Sequence, residues 1–75
     1  MTINDALKIT MKECETGYPV GYWNKDGKFF IQFKIVPPYD ELTGPSLYVV
    51  EQNGDCYGTY PYRENLNPKE MKKIF

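Results

Sequence analysis

Along this chain the hydrophobic positions change period, and each change marks a new element. From the N-terminus, Ile3, Ala6, Leu7, Thr10, Met11 and Cys14 recur at the spacing of one helix face. Asp5, Lys8, Lys12, Glu13 and Glu15 fill most of the other side. Thr2 is placed to cap that helix, with Asp5 at the third helical position facing the positive end of the dipole. Gly17 is the expected stop, because glycine takes a left-handed terminal conformation without strain. Ile9 lies off the stripe, so it either touches a sheet laterally or belongs to a contact surface.

From Phe29 the period becomes two. Phe29, Ile31, Phe33 and Ile35 alternate with Phe30, Gln32, Lys34 and Val36, and the first set predicts a core-facing side of a strand. Asn24-Lys25-Asp26-Gly27 before it is a turn signal, which predicts a preceding strand from about Val20 to Trp23. Pro19 and Gly21 mark that strand as an edge or as bulged. Val36 to Pro45 holds three prolines and one glycine around Tyr39 and is expected to be an exposed loop. Pro37-Pro38-Tyr39 within it lacks the spacing of a usual proline-rich ligand and is read as plain loop.

Leu47-Tyr48-Val49-Val50-Glu51 and Cys56-Tyr57-Gly58-Thr59-Tyr60 flank Asn53-Gly54, a strong hairpin signal. A two-residue turn there sets Val50 opposite Tyr57 and Tyr48 opposite Thr59. Tyr48, Val50 and Tyr57 then share one face, and Leu47, Val49 and Tyr60 the other. The tail from Asn65 to Phe75 reads as a short helix, with Asn67 as cap, Pro68 first and Glu70 third. Leu66 and Met71 form its staple, Lys72 and Lys73 suit its last turn, and Ile74 and Phe75 anchor it. These elements predict an α+β fold as a single domain over residues 1–75: an N-terminal amphipathic helix packed on a four-stranded antiparallel sheet of two β-hairpins, with a short C-terminal helix.

Composition narrows the chemistry. At 75 residues the chain buries only about 60% of its unfolded surface, so it depends on close packing or self-association. Nine Lys/Arg against ten Asp/Glu give a formal charge of −1, which does not favour affinity built on phosphate neutralisation. No apolar run has the length of a membrane span, and the first residues lack the pattern of a signal peptide. A cytoplasmic protein with reduced thiols is therefore expected. Histidine is absent, so catalytic pairs of serine or cysteine with histidine are excluded within one chain. Asp26, Asp40, Glu41 and Asp55 sit in turn-like sequence without the alternation of a calcium loop, and no phosphate-binding glycine loop occurs. The expectation is a non-enzyme with no metal and no cofactor. Cys14 and Cys56 read as free apolar thiols, with a single bridge between them as the alternative.

All aromatic residues but Phe75 fall between Tyr18 and Tyr62. Alternation assigns Phe29 and Phe33 to the core. Tyr22, Trp23, Tyr48 and Tyr57, with Tyr39 in the loop, are the candidate binding residues, because tyrosine and tryptophan are enriched where proteins recognise one another. In order of elements the chain resembles the small PepSY-type modules, through Ile3-Asn4-Asp5-Ala6-Leu7-Lys8 and through Tyr48-Val49-Val50 leading into Asn53-Gly54. That resemblance carries no activity, partner or site residue over.

The expected function is thus a small non-catalytic interaction or accessory protein using an aromatic sheet face. The short chain, rich in Lys, Asn, Ile and Tyr, suits a bacterial or phage-encoded factor. Its partner is another protein or a second copy in a homodimer, and no membrane. Single-stranded nucleic acid stacked on the tyrosines is the alternative.

Overall fold

The computed structural model describes residues 1–37, 46–60 and 64–74. Helix α1 (Ile3–Glu13) lies on a sheet formed by β1 (Gly17–Lys25), β2 (Lys28–Ile35), β3 (Leu47–Val50), β4 (Cys56–Thr59) and β5 (Lys72–Lys73). The sheet is antiparallel throughout, in the order β4-β3-β2-β1-β5. The α+β class matches the expectation. The sheet has five strands rather than four, and the tail forms a single-turn 3-10 helix (Pro68–Glu70) in place of an α-helix.

The start of α1 is as the sequence implies. Thr2 Oγ1 accepts from the Asp5 N–H at 3.3 Å, and the Thr2 N–H donates to Asp5 Oδ2 at 3.2 Å, a reciprocal capping box. That backbone hydrogen bond, helped by the Thr2 hydroxyl, holds the Asp5 carboxyl below its ordinary value of 3.8. The other end differs. The helix stops at Glu13, and Cys14 turns to extended geometry while its N–H donates to the Thr10 carbonyl at 2.9 Å. Gly17 is not a left-handed cap but the first residue of β1. It is glycine because a side chain there would collide with the Lys34 carbonyl across the ladder. Ala6, Thr10 and Cys14 are buried, Ile9 packs against the core, and Met11 at the stripe's margin is 54% exposed.

The first hairpin closes on Asp26 and Gly27, both at positive φ (54° and 74°), the geometry whose twist matches paired strands. β1 is longer than the sequence implied, and Val20 is an extra residue between the Pro19–Phe33 and Gly21–Gln32 pairs. Pro19 and Gly21 thus flank a bulge, as expected.

The second hairpin corrects the register. Gly54 (φ 94°) donates its N–H to the Glu51 carbonyl, and Glu51 donates to the Asp55 carbonyl, both at 2.9 Å. The connection is a three-residue loop with a left-handed glycine, and the Asn53 side chain accepts from the Asp55 N–H at 3.0 Å. Val50 pairs with Cys56, Val49 with Tyr57 and Tyr48 with Gly58. The shift by one residue moves Tyr57 to the face opposite Tyr48 and Val50.

Both sheet faces are covered. Under α1 lie Phe29, Ile31, Phe33 and Val50, with Tyr22, Tyr48, Cys56 and Ile74 packed against them. On the other face, Trp23, Phe30, Leu47 and Val49 are buried, with Leu66 and Met71 packed on them. Removing each such aliphatic or aromatic side chain from water is worth about 1.5–3 kcal/mol, so neither layer is dispensable to a domain this small. The stretch from Leu66 to Met71 therefore lies across the second face and leads to the pairing with β1. Beyond the 3-10 turn it is extended, because in that form it pairs its backbone with β1 while keeping Leu66 and Met71 on the sheet. Asn67 still caps the 3-10 turn, its Oδ1 accepting from the Lys69 N–H at 3.0 Å. Leu66 and Met71, expected to staple a helix, both face the sheet instead. The expected anchor Phe75 and the loop centred on Tyr39 lie outside the described residues.

Candidate functional site

The five sequence-chosen binding residues do not share one face. Tyr22 and Tyr48 belong to the helix-covered layer, where each is half-buried. Tyr22 packs on Phe29 with centroids 6.2 Å apart, and Tyr48 meets Phe33 edge to face at 5.5 Å. Trp23 is on the opposite face, 7% exposed, with its indole N–H donating to the Asn67 carbonyl at 2.8 Å. Tyr57 is on that second face but 43% exposed, at the outermost strand. Tyr39 lies outside the described residues. What was expected as one aromatic surface is two packed layers, with Tyr57 the exposed member among the described candidates.

A polar cluster sits where α1 ends above β3 and β4. The Tyr48 hydroxyl lies near the Cys14 thiol, Cys56 and Glu13, and the Cys14 Sγ is 3.9 Å from the Thr16 hydroxyl. Burial, then the neighbouring Cys14, pushes the Tyr48 phenol up to about 12. Burial, then the Glu13 carboxylate, pushes the Cys56 thiol up to about 11. Both groups stay protonated near neutral pH, so Cys56 is a poor nucleophile. Cys14 and Cys56 are free thiols. Among the described residues no three Cys, Asp or Glu side chains gather as metal ligands, and no helix is long and apolar enough to cross a membrane.

The two edges of the sheet have opposite designs. At one, β5 pairs Lys73 with Gly21 and Lys72 with Tyr22, and the Ile74 N–H donates to the Val20 carbonyl at 3.0 Å. That edge is short and carries two exposed lysines, features that discourage a further strand. Lys72 Nζ also lies 5.9 Å from the Tyr22 ring centre, over its face. At the other edge, β4 reads Cys56-Tyr57-Gly58-Thr59, with neither charge nor proline.

The direction of β4's backbone follows from its ladder. Antiparallel pairs alternate between bonded and non-bonded. Since Glu51 bonds Asp55, the Val49–Tyr57 and Leu47–Thr59 pairs are the bonded ones. The N–H and C=O groups of Cys56 and Gly58 consequently point away from β3, and among the described residues nothing pairs with them. Tyr57 stands beside this open ladder, and the Thr59 hydroxyl is tied to Glu64 Oε1 at 3.1 Å. Sequence reasoning chose Tyr57 but not Cys56 and Gly58, whose contribution is backbone. The signal was the absence of any lysine, proline or acidic residue in that strand.

No protein-family model, curated protein or solved structure matches the chain. The layout shared with PepSY-type modules is therefore a likeness in element order alone.

Proposed function

We propose that this chain is a small non-catalytic interaction protein, and that its contact is the open edge of β4 with Tyr57, not a broad aromatic face. The observation that carries this reading is the contrast between the edges: one closed by a lysine-bearing strand, the other uncharged with two residues' backbone groups unpaired among the described residues. An extended segment of another protein adds to such an edge by main-chain hydrogen bonds, and Tyr57 supplies a large, stiff contact surface at low entropic cost. Base stacking is less well supported, because Trp23 is buried and Tyr22 and Tyr48 sit under α1.

The test is affinity capture from the native host with the wild-type chain and with Tyr57→Lys as parallel baits. Proteins retained by the wild type are expected to be lost from the variant, which keeps the fold because Tyr57 is exposed. Equal retention by both baits would remove β4 as the contact.

A further inference from the structure

We propose that the open edge of β4 pairs with the same edge of a second copy, joining two five-stranded sheets into one continuous sheet across a twofold axis. This rests on the reading of β4 as an interaction edge and names its occupant. A twofold contact sets the same surface against itself, so an edge suits it only if it is its own complement. β4 meets that condition, because its four residues carry no charge to repel their copies. The lysine-bearing edge at β5 does not, since Lys72 and Lys73 would face lysines.

The backbone also fixes the register. Only Cys56 and Gly58 of β4 direct N–H and C=O groups outward, so a twofold antiparallel match bonds Cys56 of one copy to Gly58 of the other, and the reverse. Tyr57 then stands directly opposite Tyr57 of the second copy as a non-bonded pair, where side chains approach most closely. Aromatic cross-strand pairs are among the favourable ones. In the same register Asp55 faces Thr59 of the second copy, the residue whose hydroxyl holds Glu64. Tyr57, left 43% exposed in the single chain, is covered by its equivalent. An edge of four residues makes a small interface, and a weak, concentration-dependent dimer is expected.

The experiment has two arms. In the first, sedimentation equilibrium of the wild type over a rising concentration series is expected to move from 8.8 kDa toward twice that mass, while Tyr57→Lys stays at 8.8 kDa. In the second, Tyr57→Cys is made in a Cys14→Ala, Cys56→Ser background and exposed to oxidised glutathione. Two thiols of two copies lose their protons and two electrons, the disulfide forms, and the oxidant leaves as two glutathione thiols. Cα atoms of a non-bonded antiparallel pair lie about 4.5 Å apart, within the disulfide range of about 4.4–6.8 Å. The Tyr57→Cys variant is expected to give a covalent dimer at least tenfold faster than Lys25→Cys in the same background. A wild-type mass of 8.8 kDa at every concentration, or cross-linking of Tyr57→Cys no faster than of Lys25→Cys, would overturn the proposal. If the wild type is monomeric while Tyr57→Lys still loses captured proteins, the self-pairing falls and the interaction edge stands.

Discussion

The edges at β5 and β4 end the same sheet in contrary ways. β5 is only two residues long, yet it is held by pairing to β1, by Ile74 in the helix-side core and by Met71 in the second core. β4 is twice as long and anchored only through β3 among the strands. The protected edge is thus made by a segment that has first crossed and covered the second face. The open edge is where that segment departs. Covering one face and closing one edge are a single structural act, and among the described residues no strand pairs with the opposite edge.

Trp23 is the point at which to break that arrangement, since it both fills the second core and binds the Asn67 carbonyl. Trp23→Ala is expected to cost about 3–5 kcal/mol in denaturant unfolding. By loosening the crossing segment it also exposes the β1 edge, so association should appear that Tyr57→Lys no longer suppresses. Trp23→Phe keeps most of the volume and loses the hydrogen bond, at about 1 kcal/mol. If Trp23→Ala unfolds like the wild type, the crossing segment is not what closes the second face.

The next largest effect concerns the β4 register. Gly54 has a φ of 94°, and a Cβ there meets no neighbour within 4 Å, so Gly54→Ala isolates backbone strain. A loss of roughly 1–2 kcal/mol is expected. A neutral outcome would mean that the loop does not need its left-handed glycine.

A smaller effect is expected in alkali, on the β4 side of the molecule. Tyr48 and Cys56 are raised from 10.0 to about 12 and from 9.0 to about 11. For a raised pKa, the contribution to stability is fully present below the unfolded value and is lost as pH rises through the folded one. Stability should therefore decline from about pH 9 to 12, through Cys56 first and Tyr48 after it. Tyr48→Phe should flatten the upper part of that decline and remove a late component from the phenolate absorbance titration. A titration curve that Tyr48→Phe leaves unchanged above pH 10.0 would contradict the burial of Tyr48 beside Cys14.

The smallest effect belongs to the protected edge. Lys72→Ala removes the cation over Tyr22 and should lower stability by about 0.5 kcal/mol. No change at low salt would assign Lys72 to edge protection alone.

Much of this design could be read from residues. The Thr2–Asp5 cap, the Asp26-Gly27 turn, the alternation of Phe29 to Ile35 and the bulge between Pro19 and Gly21 all rest on local rules, and local rules are what a sequence displays. Three features were hidden for a common reason. Asn53-Gly54 admits loops of two or three residues, and the pairing of β3 with β4, Val50 opposite Cys56, selects the latter. The capping residues Asn67 and Pro68 begin a helical turn, but pairing with β1 decides that it goes no further. Gly17 looks like a helix stop, yet its need for glycine comes from Lys34, distant in sequence. Each was settled by strand pairing, and for the tail and Gly17 the partner lies far along the chain. The candidate site was legible only in Tyr57, because an open edge is a property of backbone groups left over after all other pairings are made.

Amide hydrogen exchange along β4, in dilute and in concentrated protein, tests the central claim most directly. Tyr57 and Thr59 donate inward to β3 and should be slow in both. Cys56 and Gly58 should exchange rapidly in dilute protein and become slow on concentration as the second copy takes up their N–H groups. Fast exchange of Cys56 and Gly58 at every concentration, or slow exchange in dilute protein, would contradict an open edge that pairs with itself.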